Sequence, residues 1–236
     1  REFIKIPSLR GVRIIDGEFG YLRITNFSNP TAADLDKALE EFAKKKVRGI
    51  VIDLRNNPGG LLNSAIEVCS RFLKKGELVV YTEGQSARAK QEFHAADAKK
   101  YLDIPLVLLV NGNSASAAEI FSGCLQDHNR AVLLGTKTFG KGSVQTVIPL
   151  PDKGAMRLTT AKYYTPSRRV IHGRGITPDI IVPMTPASEA VLAMQLNVAP
   201  GEVHMKNGGG VKDVQLERAL ELLKGVNLFM KNGNSK

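Results

Sequence analysis

The chain has 236 residues, 43% of them apolar, enough for one large domain or two small ones with a proper core. Lys and Arg outnumber Asp and Glu by 33 to 23, a formal charge of +10, yet only 6% of residues are aromatic and Trp is absent. No basic run is interleaved with stacking residues, so a nucleic-acid partner is not expected, and the scattered Lys and Arg clusters read as solvated faces.

The opening "REFIKIPSLRG" has no initiator Met and no apolar signal core, so the chain reads as a fragment or a mature form. "YLRITNF" (21–27) alternates like a strand. A helix is predicted after it, starting at Thr31 with Asp34 three residues on and carrying the stripe Leu35, Leu39, Phe42 and Ala43. "GIVIDLR" (49–55) is a continuous β-branched run that suits a strand covered on both faces. "NNPGG" then leads into a second helix with Leu62, Ala65, Ile66, Cys69, Phe72 and Leu73 on its apolar side. Strand, helix, strand, helix is the order of an α/β layering with right-handed crossovers.

"ELVVYTEG" is a further strand, and the polar stretch 85–103 is expected to be a mobile, partly helical connection, with a lid role left open. "IPLVLLVNG" is another buried strand, "SASAAEIFSGCLQD" a helix and "AVLLG" a strand. Cys69 and Cys124 both fall in apolar helical patterns, where a small buried hydrophobe is the default, and two cysteines do not fix the redox compartment. "SVQTVIPL" and "MRLTTAKYYTP" alternate around "PDKG", which predicts an antiparallel hairpin. "GITPDIIVP" closes the fold, and the tail has two helical patches separated by "KNGGG". No run of 18 apolar residues occurs, so no membrane-spanning segment is expected.

Chemistry is sought first at "NGNSASAAEI", residues 111–120. Ser116 with Glu119 three residues later is a capping box, and capping serines are far commoner than catalytic ones. A sharp strand-to-helix turn nevertheless exposes a side chain beside free N–H groups. A serine needs a base. None of the four histidines, His94, His128, His172 and His204, is placed to serve: no G-x-S-x-G elbow surrounds either serine, and His128 lies a helix length from Ser116. Lys141, between Gly140 and Gly142, is the lysine whose neighbours let the backbone turn an ammonium inward, and in an extended segment Ser143 and Gln145 share its face. A Gly-rich hairpin with a solvated lysine is the alternative. The glycine pair of "DLRNNPGG" suits an oxyanion or anion site, or simply a tight turn; neither a Walker-type nor a Rossmann glycine pattern is present.

Together, "GIVIDLRNNPGGLL", "VLVNGNSASAAEIFSGCLQD", "GTKTFGKGSVQ" and "GRGITPDIIVP" resemble, in order and spacing, the carboxyl-terminal processing (tail-specific) serine proteases. The resemblance implies an α/β, crotonase-like (ClpP/crotonase) layered core with an added antiparallel hairpin and a C-terminal helical tail. It divides the chain into a catalytic core, 1–185, and a helical extension packed on it, 186–236. By family pattern Ser116 is the nucleophile, passing over Ser114. Lys141, 25 positions later, is the base and Gln145 its support. The oxyanion donors are the N–H of Ala117 and of Gly60 or Gly59, with Gly60 preferred.

The implied reaction is peptide hydrolysis near apolar carboxyl-terminal tails, with no metal or cofactor, in an exported enzyme. The oligomeric state stays open, a homo-oligomer included. Family members usually carry a PDZ domain before the segment matching "YLRITNF". Only about twenty residues precede it here, too few for one, so it is either removed or naturally lacking. A non-catalytic peptide-binding scaffold and a crotonase-like acyl-CoA enzyme are the competing expectations.

Overall fold

A computed structural model describes residues 7–84, 90–151, 154–197 and 210–233. Its centre is a six-stranded sheet in the order β1-β2-β3-β6-β7-β10. The strands are β1 (Leu9–Ile15), β2 (Phe19–Ile24), β3 (Gly49–Asp53), β6 (Leu106–Val110), β7 (Val132–Gly135) and β10 (Ile180–Ile181). Only the β1–β2 pair is antiparallel; the remainder run parallel, as crossovers through helices require.

The apolar runs of β3 and β6 are buried on both faces. With period two, Ile50, Ile52, Leu106, Leu108 and Val110 join the core beneath helices α1 (Thr31–Lys44), α2 (Leu62–Cys69) and α3 (Ala117–Asp127), while Val51, Val107 and Leu109 turn to the opposite face. That face is covered by α5 (Val214–Gly233), which lays Ala219 and Leu223 on Tyr21, Val51 and Leu134. Gly49 makes the approach possible: a Cβ there would stand 2.9 Å from Leu223 Cδ2. Helix α4 (Pro186–Asn197) precedes α5.

A second, antiparallel sheet runs β5-β4-β9-β8, built from β4 (Leu78–Gly84), β5 (Gln91–His94), β8 (Ser143–Pro149) and β9 (Ala155–Tyr164). Val79 and Val80 of β4 belong to the main core, so this sheet is fused to the first rather than separate from it. Tyr81 and Tyr164, register partners across β4 and β9, stack with ring centroids 5.0 Å apart.

Several expectations change. The first helix takes Pro30 as N-cap, because the Thr31 hydroxyl turns back to accept the Ser28 N–H at 2.9 Å. Its buried stripe uses Ala38, and Ala43 is exposed. The segment 85–103, expected to be partly helical, has no helix among its described residues: 91–94 form β5 against β4, and 85–89 lie outside the described residues. The opening segment contributes β1, whose mixed polar sequence matches an edge strand bulged between Arg10 and Arg13. No helix among the described residues is long and apolar enough to cross a membrane.

Candidate active site

Three loops meet at the start of α3. The first carries Asn56 to Gly60 out of β3, the second Asn111 to Ser116 out of β6, and the third Thr138 to Gly142 after β7. Asn57 binds the first two together: its amide donates to the Ile24 carbonyl at 2.8 Å, its side-chain oxygen accepts the Gly59 N–H at 2.8 Å, and its carbonyl accepts the Ala115 N–H at 2.9 Å. Asn111 adds a bond from the Asn56 N–H at 2.9 Å.

The two serines separate here. Ser114 is fully buried, its hydroxyl donating to the Leu54 carbonyl at 2.9 Å and accepting the Asn111 N–H at 3.0 Å, so it builds the turn. Ser116 is half-buried with φ 58° and ψ −116°, a conformation that costs a non-glycine residue on the order of 1–3 kcal/mol. The strain is held by its surroundings, chiefly Glu119.

Glu119 is completely buried, and its two carboxylate oxygens accept four bonds. Oε2 takes the N–H of Ser116 at 2.9 Å and the N–H of Lys141 at 2.8 Å. Oε1 takes the Thr138 hydroxyl at 2.5 Å and the Gly140 N–H at 2.7 Å. One oxygen thus clamps the backbones of residues 116 and 141 together. The third loop is fixed further by Phe139 N–H to the Ser114 carbonyl at 3.0 Å and Gly173 N–H to the Gly140 carbonyl at 2.9 Å. Gly175 backs the same loop, since a Cβ there would meet the Thr138 carbonyl at 2.5 Å.

The glycine pair divides its work. Gly59, at φ 104°, lies against the serine: a Cβ would stand 2.6 Å from Ser116 Cβ and 3.0 Å from Ala117 N. Its N–H is spent on Asn57. Gly60, at φ 144°, packs on the Phe27 backbone, and its N–H bonds to no described residue. Nor does the N–H of Ala117, the first residue of α3, as expected at a helix N-terminus.

The side chains of Lys141 and Gln145 are exposed, and neither makes a hydrogen bond to a described residue. The structure therefore brings the lysine's backbone to the serine but leaves its ammonium, and the glutamine amide, in solvent.

A profile of peptidase family S41 matches residues 18–182. The chain belongs to peptidase family S41. Among curated S41-type relatives, it is 43% identical over 246 residues to a carboxy-terminal-processing protease of Bartonella bacilliformis, covering 95% of this chain and 56% of that protein. It is 40% identical over 204 residues to a carboxyl-terminal-processing protease of Picosynechococcus, covering 86% and 45%. A solved photosystem II D1 C-terminal processing protease superposes with TM-score 0.68 at 30% identity, over 78% of this chain and 50% of that one. The S41 chain described here thus spans about half the length of these relatives. The crotonase-like layered fold expected from sequence agrees with these neighbours.

Within this S41 core the histidines stand apart from the serine. His128 follows α3, at the opposite end from Ser116, and its Nε2 sits 2.8 Å from the Leu78 carbonyl. Contact with the Cys124 thiol, then the Leu78 carbonyl, raises its pKa to about 9. His94 and His172 are exposed, and His204 lies outside the described residues. Both cysteines are buried and free. No cluster of His, Cys, Asp or Glu that could hold a metal is found among the described residues.

Glu119 is the site residue that sequence reasoning undervalued. Spacing marked it as a cap and nothing more. The signal lay in the combination of a carboxylate aimed at Ser116 with three donors within four residues, Thr138, Gly140 and Lys141, that only the fold brings to it.

Proposed function

We propose that this chain is the catalytic core of a serine endopeptidase that cleaves proteins near apolar carboxyl-terminal tails, with Ser116 as nucleophile and Lys141 as base. The observation that carries this reading is the Glu119 clamp, which fixes the strained Ser116 and the Lys141 backbone on one carboxylate oxygen. Neutral Lys141 takes the proton from Ser116 Oγ as that oxygen attacks the scissile carbonyl. The free N–H groups of Ala117 and Gly60 donate hydrogen bonds to the carbonyl oxygen as negative charge develops on it, the Gly59 N–H being already bonded. Lys141 then gives its proton to the leaving amine, and water releases the acyl group by the same steps in reverse. Because Lys141 is exposed here, the substrate laid over it supplies the desolvation that a lysine base needs. Gln145 orients the ammonium once it turns inward. The relatives' names place carboxyl-terminal processing with those proteins; an extracytoplasmic setting for this one rests on the family resemblance of its sequence alone.

The surface beside the site suits an extended peptide with apolar side chains. Leu61, next to Gly60, and Phe139, two residues before Lys141, are 49% and 67% exposed. Strand β8 is the last strand of its sheet among the described residues and begins two positions after Lys141. The Leu150 N–H bonds to Gly154, so alternation turns the N–H groups of Thr146 and Ile148 toward β9 and those of Ser143, Gln145 and Val147 outward. A substrate strand pairs with that edge. Val147→Pro removes one outward donor and is expected to lower kcat/KM for a polypeptide severalfold, up to about tenfold, the worth of one hydrogen bond. Ile148→Pro, which breaks the β9 ladder instead, destabilises the hairpin; equal kcat/KM for wild type and Val147→Pro would remove β8 from the substrate path.

The serine assignment is tested by incubation with a fluorophosphonate, in which the serine oxygen displaces fluoride from phosphorus. Peptide mapping is expected to find the adduct on Ser116 and none on Ser114. Labelling elsewhere, or equal labelling of Ser116→Ala, would sink it. An acyl-CoA enzyme acting through its oxyanion donors alone would leave Ser116 unlabelled.

A further inference from the structure

Arg55 is 2% exposed and lies one residue before the loop that presents Gly59 and Gly60. All five of its guanidinium N–H groups are used. Nε donates to Asp53 Oδ1 at 3.0 Å and Nη2 to Asp53 Oδ2 at 2.6 Å. From the far end of the sequence, Asp213 accepts Nη1 on Oδ1 at 2.8 Å and Nη2 on Oδ2 at 2.7 Å, and Gln215 Oε1 accepts Nη1 at 3.0 Å. Gln215 in turn donates to the Val182 carbonyl at 2.7 Å. Asp53 already neutralises the guanidinium and is itself held by the Tyr21 hydroxyl at 2.8 Å. Arg23, 3% exposed, donates Nη2 to the Arg55 carbonyl at 3.4 Å, so the second carboxylate stands against a second buried cation, and it adds a two-pronged geometric tie to the start of α5.

The tie leads to the site without a gap. Arg55 donates its own N–H to Asp53 at 2.9 Å, and Asn56 follows with φ 59°. Asn57 then fixes Gly59 and Ala115, and the Gly59 carbonyl accepts the Phe27 N–H at 2.8 Å. A rotation of Arg55 therefore moves the loop that lays Gly59 against Ser116 and carries the unbonded Gly60 N–H.

We infer that Asp213, at the start of the C-terminal helix, is a positioning residue for catalysis: through Arg55 it sets the loop that offers the Gly60 N–H to the oxyanion. This rests on the proposed role of Gly60 and extends the machinery to a helix on the opposite face of the sheet. A misplacement of about 1 Å in such a donor costs on the order of 10²-fold in rate.

The test compares Asp213→Asn, Asp213→Glu and Asp36→Asn in the whole chain, with Ser116→Ala alongside. Asp36 makes a similar two-pronged pair with Arg71, at 3.0 and 2.8 Å, but ties α1 to the segment after α2, away from the loop. Asp213→Asn is expected to lower kcat about tenfold or more with KM within about twofold. It is also expected to speed amide exchange at Gly59, Ala115 and Phe27. Asp213→Glu is expected to recover most of the rate. Asp36→Asn is expected to shift the melting temperature without changing kcat or that exchange. Unchanged exchange in Asp213→Asn overturns the tie, and faster exchange with unchanged kcat overturns its catalytic role. Failure of the serine reading shows separately, as cleavage by Ser116→Ala.

Discussion

Ser116→Ala and Lys141→Ala are each expected to lower cleavage of an unfolded substrate with an apolar tail by at least about 10³-fold, and the double variant to be no worse than either alone. The non-additivity follows from the roles: without the nucleophile the base has no proton to take, and without the base the hydroxyl does not attack. What remains in every case is the contribution of the two N–H donors and of binding. Neither change is expected to unfold the protein, since Ser116 holds its place through backbone bonds and the Lys141 side chain makes none. Wild-type rate is expected to climb with pH beyond neutrality, because a lysine acts as base only after losing its proton. A profile that levels off near pH 6.5, the histidine range, would count against it. Cleavage retained at wild-type rate by both variants would remove the dyad altogether.

The parts of this architecture that sequence makes legible are those encoded locally. The β-branched runs of β3 and β6 announce strands buried on both sides, and the alternation around "PDKG" announces the β8–β9 hairpin. Pairings between distant segments leave no periodic trace. Nothing in "ELVVYTEG" indicates that β4 leaves the parallel sheet to join β9, a partner about eighty residues on. The edge strands β1 and β5 escape notice because a polar, half-exposed strand lacks the apolar alternation that identifies a covered one. Thr31 misleads for a different reason: its hydroxyl satisfies the Ser28 N–H, so a residue with capping chemistry sits inside the helix it was expected to cap.

The site divides along the same line. Ser114 and Ser116 are indistinguishable by composition, and only burial with two hydrogen bonds commits Ser114 to the turn. Gly59 and Gly60 are adjacent and identical, yet one N–H is bonded to Asn57 and the other is not. The Asp213–Arg55 tie spans 158 residues, beyond the reach of any motif.

Glu119→Gln is expected to cost more than 10²-fold in kcat while leaving a folded protein, and Glu119→Ala to cost the fold as well. The alanine strands four donors: the buried Gly140 N–H and Thr138 hydroxyl, and the part-buried N–H groups of Ser116 and Lys141. At roughly 1–3 kcal/mol for each unsatisfied group, the loss approaches the whole stability of an ordinary domain, about 5–15 kcal/mol. Glutamine keeps the shape but offers one acceptor oxygen and one amide nitrogen to two pairs of donors, so one pair must face an N–H it cannot bond. If the amide faces Ser116 and Lys141, the clamp opens and the strained serine relaxes. If it faces Thr138 and Gly140, the hydroxyl of Thr138, which also accepts the Ile176 N–H at 2.7 Å, is turned away and the lysine loop shifts. Either way the distance between base and nucleophile is no longer set, and catalysis suffers before folding does. Thermal melts followed by circular dichroism, with kcat measured well below the midpoint, separate the two effects. Wild-type kcat in Glu119→Gln would show that shape alone, without the second acceptor oxygen, holds the serine and the lysine in place.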